Sequence, residues 1–229
     1  LLPDIIAILA FVVISFVYFF PADIEGRILF QHDSAAGAGA GRDAQEYFER
    51  TGERSRWTNS IFGGMPTYQM APSYDSTKSL SWVEKTYQLY LPEYVVLTFI
   101  MMLGFYILLR AFGISAWLAG FGGIIWAFSS YFFILIPAGH IWKFVTLAYI
   151  PPTIAGIVLA YRRKYLLGGI ITALFIALQI RSNHIQMSYY FMFVILFIIG
   201  AYFEEAYKKK ELTHFFKASA ILALAAMVG

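Results

Sequence analysis

Residues 94–109 read YVVLTFIMMLGFYILL and are followed directly by Arg110. The run contains no charged residue, and its length approaches the roughly 20 apolar residues that a bilayer-spanning helix needs. Similar apolar runs occupy residues 5–20, 115–136, 144–161, 165–180, 187–203 and a stretch that starts near residue 215. We therefore predict an all-α polytopic membrane protein with about seven transmembrane helices.

The composition of the whole chain supports this class. Of its 229 residues, 59% are hydrophobic and 14% are charged, whereas soluble domains carry about 25% charged residues. This balance excludes a disordered chain, a nucleic-acid-binding domain and an ordinary soluble enzyme. Cysteine is absent, which excludes disulfide bonds and thiolate zinc sites. Because the last apolar run is incomplete, residues 1–229 are expected to be a single transmembrane domain from the N-terminal part of a longer protein.

Basic residues lie near the ends of the apolar runs in a regular pattern. Arg110, residues 162–164 and residues 208–210 follow alternate runs, so they fall on one side if each complete run crosses once. Lys and Arg near helix ends mark the cytoplasmic side of a membrane. The N-terminus is then predicted to be cytoplasmic, and the loop at 21–92 is predicted to be extracytoplasmic.

The loop at 21–92 is too long and too charged for a simple connector, since it holds nine acidic and seven basic side chains. Two of its segments have the form of a capping box, in which a polar residue is followed three positions later by an acid. The first starts a helix at Asp43 that should stop at Gly52, and the second starts one at Ser81. We predict two amphipathic juxtamembrane helices here. Residues 35–41, AAGAGAG, either bring backbone N–H groups to a phosphate or form a flexible linker.

Several polar residues on the predicted outer side are candidates for chemistry. They are Asp33 and Asp43 in the loop, His140 and Lys143 in the turn at 137–143, and Arg181, His184 and Gln186 in the turn at 181–186. Each type has an ordinary alternative: Asp43 suits a helix cap, the histidines suit interfacial hydrogen bonds, and the cations suit lipid headgroups. Histidines with carboxylates also suit zinc, but their spacing is not that of a metal site. No metal ligand is therefore predicted, and a divalent-metal requirement stays open.

Three segments resemble the N-terminal portion of the YfhO family of bacterial membrane proteins. They are WTNSIFGGMPTYQ at 57–69, PAGHIWKFVTLAYIPP at 137–152 and RSNHIQMSYY at 181–190. The resemblance covers nearly the whole chain. It implies a GT-C-type glycosyltransferase, a polytopic enzyme that takes a sugar from a polyprenyl-phosphate carrier and transfers it outside the bacterial cytoplasmic membrane. It also implies a catalytic Asp early in the outer loop, for which Asp33 is the first candidate and Asp43 the second.

The chemistry of such a transfer gives the other candidates their expected roles. A base must take the proton of the acceptor hydroxyl, and we assign this role to Asp33. The leaving group is a lipid phosphate, so cationic side chains are expected beside it, with Arg181 binding in bidentate fashion. The predicted substrate-binding residues are His140, Lys143, Arg181, His184 and Gln186, together with Gly63 and Gly64 in the acceptor cleft.

Two other functional classes compete with the enzyme. A transporter or flippase for a lipid-linked molecule often has ionisable groups near the membrane midplane, whereas the apolar runs here are nearly free of them. A structural subunit of a larger membrane complex is the third possibility. The expected partners are the lipid bilayer and a polyprenyl-phosphate lipid, whose sugar-bearing form is the donor substrate rather than a cofactor. The oligomeric state stays open.

Overall fold

The structure is a computed structural model that describes residues 1–27, 30–67 and 79–229. The described chain is nearly all helical. The outer-loop elements are α2 (His32–Ala40), α3 (Arg42–Thr51), β1 (Trp57–Thr58), β2 (Met65–Pro66) and α4 (Ser81–Tyr87). The other helices are α1 (Leu2–Phe19), α5 (Glu93–Ala111), α6 (Ala116–Ala127), α7 (Ser130–Ala138), α8 (Ile141–Tyr161), α9 (Tyr165–Arg181), α10 (Ile185–Lys209) and α11 (Leu212–Val228). Tyr68 and Gln69, which end the first family-like segment, lie outside the described residues.

Four helices in the described ranges are long and apolar enough to cross a membrane, namely α1, α5, α8 and α10. The pair α6 and α7 makes a fifth if its two bent halves count as one span. The helices α9 and α11 are apolar but shorter, at 17 residues each. Seventeen residues rise about 26 Å, which is less than the roughly 30 Å hydrocarbon core of a bilayer. The described residues are therefore nearly all helical, with four or five helices that could span a membrane.

The apolar run at 115–136 does not form the single straight helix that its composition predicts. Helix α6 ends at Ala127, α7 starts at Ser130, and the two are bent by 47°. Ser129 between them has extended backbone angles and serves as the N-cap of α7. Serine favours such positions because its hydroxyl competes for backbone groups. The helical break therefore lies at a polar dipeptide within an otherwise apolar segment.

Two prolines lie inside α8 without ending it, although proline usually breaks or kinks a helix. Helix α8 continues through Pro151 and Pro152 to Tyr161. A proline lacks the N–H that would bond to the preceding turn, so its helix needs support from neighbours. Here Pro152 frees the carbonyl of Ala148, and Gly104 of α5 lies directly against it, since a Cβ built at Gly104 would be 2.5 Å from that oxygen.

The main core lies between α5 and α8. Phe99, Ile100, Met101 and Met102 of α5 are completely buried, as are Ala148 and Tyr149 of α8. Helices that are apolar on every side are expected in such central positions. By contrast, α10 exposes most of its apolar surface. The chain thus has a packed centre and an apolar exterior, which is the arrangement of a protein surrounded by lipid.

The three basic groups lie together at one end of the helices, which we call the basic end (Arg110, residues 162–164 and residues 208–210). Arg110 Nε pairs with Asp4 near the start of α1 at 2.9 Å. Arg162 donates to the last carbonyl of α5 at 2.9 Å. Arg163 pairs with Glu211 at 2.7 Å, directly after residues 208–210. These contacts bring the start of α1 and the basic groups to the same end.

The outer-loop elements contact the opposite end of the helices. The Gln31 amide, just before α2, donates to the carbonyl of Ile136 in α7 at 2.6 Å. On α4, Glu84 Oε2 pairs with Arg181 at the end of α9 at 2.7 Å. We call this the loop end, defined by residues 30–67 and 79–87 and the helix ends that they contact. It carries the candidate site.

Candidate functional site

A cavity of about 890 Å³ lies at the loop end, and we call it the first cavity. It is lined by Asp33, Ser34, Gly37, Ala38, Gly41, Arg42, Gln45, Glu46, Glu49, Gly139, His140, Ile141, Trp142, Lys143 and His184. Four of the seven predicted candidates with ionisable or amide side chains line it, namely Asp33, His140, Lys143 and His184. Asp33 lies in α2, and His184 lies in the loop just before α10. His140 comes directly before α8, and Lys143 is in the first turn of that helix.

Helix α2 reaches the cavity because it sits directly against the end of α7. Ser34 Oγ donates to the Gln31 side chain at 3.0 Å, and Gln31 in turn holds the Ile136 carbonyl. Gly139 has φ +87 and leaves room for α2, because a Cβ there would lie 2.8 Å from Ser34 Oγ. A side chain at residue 139 would therefore push α2 and Asp33 away from the α7–α8 turn.

Asp33 and His140 form the central polar contact of the first cavity. Asp33 Oδ2 lies 3.4 Å from His140 Nε2, and the two side chains are 52% and 50% exposed. Asp33 is in the first turn of α2, where a carboxylate is favoured by the helix dipole. His140 is the N-cap of α8. An accessible carboxylate beside an imidazole is an arrangement that can accept and pass on a proton.

Lys143 and His184 add a cation and a neutral donor to the same cavity. Lys143 Nζ lies 5.4 Å from the centre of the Tyr131 ring, within cation–π distance. Burial lowers the pKa of His184 below its ordinary value, and the charges of Lys143 and His140 act in the same direction. His184 Nδ1 accepts from the Met187 backbone N–H at 3.4 Å, so the proton of the neutral ring belongs on Nε2. At neutral pH His184 is thus a hydrogen-bond donor without charge.

Arg181 does not line the first cavity, contrary to its predicted role at the phosphate. Its Nε pairs with Glu84 Oε2 at 2.7 Å, and Glu84 Oε1 accepts from the Tyr149 hydroxyl at 2.9 Å. The Tyr87 ring packs beside this group, 5.0 Å from Phe175. The sequence prediction placed α4 in the interface through its aromatic residues. In the structure Glu84 and Tyr87 hold α4 against α8 and α9, and Arg181 contributes through its ion pair with Glu84.

We expect Arg181→Ala to destabilise the docking of α4. The two side chains are only 24% and 15% exposed, so the variant leaves the Glu84 carboxylate unpaired in a poorly solvated position. Breaking a buried pair costs about 3–5 kcal/mol, and partial solvation here reduces this to about 1–3 kcal/mol. A double-mutant cycle with Glu84→Ala, followed by equilibrium unfolding in mixed micelles, measures the coupling. Additive effects of the two substitutions would mean that the ion pair does not hold α4.

Asp43 is also absent from the first cavity, and it does not cap α3. Helix α3 starts at Arg42 with Gly41 as its N-cap. The Thr58 hydroxyl donates to Asp43 Oδ1 at 2.7 Å, and the Asn59 backbone N–H donates to Oδ2 at 3.1 Å. Such bonds stabilise the ionised form and lower the pKa of Asp43 to about 2, with the Thr58 bond as the largest cause. Asp43 therefore joins α3 to the hairpin formed by β1 and β2.

The bonds to Asp43 predict acid sensitivity of this part of the loop. An unfolded Asp titrates near pH 3.9, so its stabilising effect is complete above about pH 5 and disappears as the pH falls toward 2. Hydrogen exchange of residues 42–67, corrected for the intrinsic effect of pH, should show protection at pH 5 that falls by pH 3. Asp43→Asn should already lack this protection at pH 5. Equal protection at both pH values in the unsubstituted protein would contradict the assignment.

The remaining predicted residues also lie outside the first cavity. Gly63 and Gly64 form the turn of the hairpin, with φ values of +71 and +122. A Cβ at Gly64 would lie 2.7 Å from the Trp57 ring, so this glycine accommodates the indole rather than a first-cavity ligand. Gln186 donates to the Tyr190 hydroxyl at 3.0 Å on the exposed side of α10. Gln186 was predicted to bind substrate, but it does not line the first cavity.

Sequence reasoning missed α2 and the residues that α3 adds to the cavity. Arg42, Glu46 and Glu49 line it, and Arg42 Nε pairs with Glu46 at 2.7 Å. The spacing of Arg42, Glu46 and Glu49 places them on one face of a helix, which is a signal that the sequence contains. In residues 1–27, 30–67 and 79–229, no group of three or more metal-ligating side chains comes together.

Comparison of the chain with family models, curated proteins and solved structures gives no match. The resemblance to the YfhO family therefore stays a prediction from the three quoted segments.

Proposed function

We propose that this chain is part of a membrane glycosyltransferase that uses a polyprenyl-phosphate sugar as donor. The observation that carries the proposal is the meeting of Asp33, His140, Lys143 and His184 in one cavity at the loop end. They come from segments far apart in the sequence, and three of them, His140, Lys143 and His184, lie in the family-like segments at 137–152 and 181–190. A carboxylate beside cationic and neutral donors suits the reaction of a hydroxyl with a phosphate-linked sugar.

The proposed reaction assigns one proton transfer to Asp33. The acceptor hydroxyl oxygen attacks the anomeric carbon, and its proton passes to the Asp33 carboxylate. The bond between the anomeric carbon and the phosphate oxygen breaks, and its electrons remain on the lipid phosphate. His140 lies 3.4 Å from Asp33 and orients the carboxylate through that contact. The protonated Asp33 then releases its proton to water, for which its 52% exposure provides access.

The proposed phosphate site consists of Lys143 and His184. Lys143 supplies a positive charge for the phosphate that leaves with the lipid. His184 supplies the Nε2–H donor, since its Nδ1 already accepts from the Met187 backbone N–H. The role predicted for Arg181 passes to Lys143 in this scheme, since Arg181 pairs with Glu84. Apolar side chains around the loop end, such as the half-exposed Trp142, suit contact with the isoprenoid chain.

The proposed orientation places the basic end in the cytoplasm and the first cavity outside the cytoplasmic membrane. Its support is the grouping of Arg110, residues 162–164 and residues 208–210 at one end, combined with the tendency of Lys and Arg to remain cytoplasmic. A bacterial cell-envelope polymer outside that membrane is the proposed acceptor class. This part of the proposal follows the resemblance to YfhO-family proteins.

A sided transfer assay tests the proposed function. The full-length protein is prepared in right-side-out and inverted membrane vesicles that contain a radiolabelled polyprenyl-phosphate sugar. Added acceptor should receive label from right-side-out vesicles and little from inverted ones. Lys143→Ala should lower the rate, while Lys164→Ala at the basic end should not. Transfer only from inverted vesicles would overturn the orientation, and no transfer in either preparation would overturn the enzyme assignment.

One observation favours a transporter as the second candidate. The 47° bend between α6 and α7 resembles the discontinuous helices from which transporters build their sites. However, neither half of this helix pair contains an Asp, Glu, Lys, Arg or His. Farther inside, the Gln179 amide donates to the Thr153 hydroxyl at 2.6 Å. Movement of an intact labelled lipid between leaflets of reconstituted vesicles, without sugar transfer, would favour this candidate.

A further inference from the structure

A second cavity of about 440 Å³ lies on the hairpin side of α3. Its walls are α3, with Asp43, Glu46, Tyr47 and Arg50, and the chain entering and leaving β1, with Trp57 and Asn59. Glu46 lines the first cavity as well, so α3 is a shared wall between the two. A ligand in the second cavity would therefore lie one helix away from Asp33.

Trp57 is exposed in this cavity and yet held in a fixed position. Its Nε1–H donates to Asn59 Oδ1 at 3.1 Å, and the edge of its ring lies against Gly64. Half of the residue, 52%, stays exposed. Fixing a large apolar ring at the surface brings little burial, whereas it provides a rigid platform for another molecule. Glycine at 64 is required, because a Cβ would lie 2.7 Å from the indole.

We propose that the second cavity is a saccharide-binding subsite with Trp57 as its platform. The C–H groups of a pyranose ring pack against an aromatic face, while its hydroxyls need polar partners at the edge. Asn59, Glu46 and Arg50 are such partners around Trp57. The same charged groups disfavour an acyl chain, which would desolvate them without pairing them.

Within the proposed function, the second cavity would hold sugar units of the acceptor while the first cavity holds the donor. Only this acceptor role rests on the proposed function. Saccharide binding is a property of Trp57 and its neighbours that can be measured without any transfer reaction. An acceptor bound in the second cavity could extend past α3, so that its reacting hydroxyl reaches Asp33 in the first cavity. Because the acceptor is already bound to the protein, the effective concentration of that hydroxyl near Asp33 is raised.

Saturation-transfer NMR on the full protein in detergent tests the subsite, with maltotriose, cellotriose and chitotriose as probes. At least one probe should bind, and Trp57→Ala should weaken it by about tenfold, as expected for a lost aromatic contact. Trp57→Phe should retain most of the affinity. Trp82→Ala, which removes another exposed tryptophan on α4, should retain all of it.

The remaining outcomes separate the subsite from the enzyme assignment. Asp33→Asn should bind the probe as well as the unsubstituted protein does, even if it transfers no sugar. Saccharide binding without transfer in the unsubstituted protein would overturn the proposed function and leave the subsite in place. Binding of none of the three probes, or equal binding by Trp57→Ala, would overturn the subsite. Tryptophan quenching by brominated phospholipids in reconstituted vesicles that is reduced in Trp57→Ala, with saccharide binding unchanged in that variant, would overturn the subsite and identify Trp57 as a membrane anchor instead.

Discussion

Asp33→Asn is expected to lower the turnover number of sugar transfer by about 10²- to 10⁴-fold at neutral pH, the usual contribution of a general base. The amide has almost the same shape as the carboxylate but cannot take the acceptor's proton. Asp33 is half exposed in the first turn of α2, so the substitution should leave the helical core intact. Transfer in reconstituted vesicles at saturating donor measures the effect, and thermal unfolding of the same preparation checks the fold.

Two further carboxylate variants distinguish the base from its neighbours. Glu53→Gln changes an exposed acid after α3 that lines neither cavity, and it should keep the full transfer rate. Asp43→Asn replaces one of the two oxygens that accept from Thr58 and Asn59 with an NH2 donor and removes the charge. It should therefore raise the KM for the acceptor more than it lowers the turnover number. Full transfer by Asp33→Asn together with its loss in Asp43→Asn would make Asp43 the base.

The class of the fold was predictable because apolar runs are a local property of the sequence. The clear spans α1, α5, α8 and α10 all coincide with such runs. The break between α6 and α7 was not predictable in the same way, because the Ser129–Ser130 step is too short to lower the hydropathy of the run. The continuation of α8 through Pro151 and Pro152 also depended on neighbours, because each proline removes a backbone hydrogen bond and packing from other helices has to offset that loss.

The members of the candidate site were predictable where the loop that a residue occupies is enough to locate it in the fold. His140, Lys143 and His184 lie in turns at the same end of the helices, so they could meet in one cavity. Arg181 does not line the first cavity, and its position is decided by a partner 97 residues away, Glu84. Asp43 looked like a helix cap, but the hairpin supplies its hydrogen bonds. Such pairings between distant residues leave no periodic signal in a single sequence.

Helix α2 was missed for a different reason. Residues 35–41 consist of alanine and glycine, and they carry neither an apolar stripe nor a capping pair. Glycine in a helix interior is unfavourable by about 1 kcal/mol relative to alanine, so composition favoured a linker. Contacts outside the segment stabilise the helix instead, through Gln31 and Ser34 against the end of α7. The segment holds no phosphate loop in this structure; it is the helix that carries Asp33.

Gly168→Leu is expected to lower the free energy of unfolding by about 3 kcal/mol, at the upper end for an overpacked core. Gly168 is buried in α9 where this helix crosses α8. A Cβ at this position would lie 2.5 Å from the Ala160 nitrogen and 2.6 Å from the Gly156 carbonyl oxygen. Both atoms belong to the α8 backbone, which cannot move aside like a flexible side chain, so the two helices would have to separate.

The separation of α8 and α9 should also affect the first cavity, because these helices lead to its polar residues. Lys143 lies at the start of α8, and His184 follows the end of α9. Gly200→Leu in α10 is the matched control, since no atom lies within 4 Å of a Cβ built there and leucine favours a helix. Equilibrium unfolding in mixed micelles should order the stabilities as Gly200→Leu, then Gly168→Ala, then Gly168→Leu. Equal stability of the two leucine variants would contradict close packing at Gly168. A loss of transfer in Gly168→Leu at temperatures where the protein remains folded would show that the α8–α9 contact positions Lys143 relative to His184.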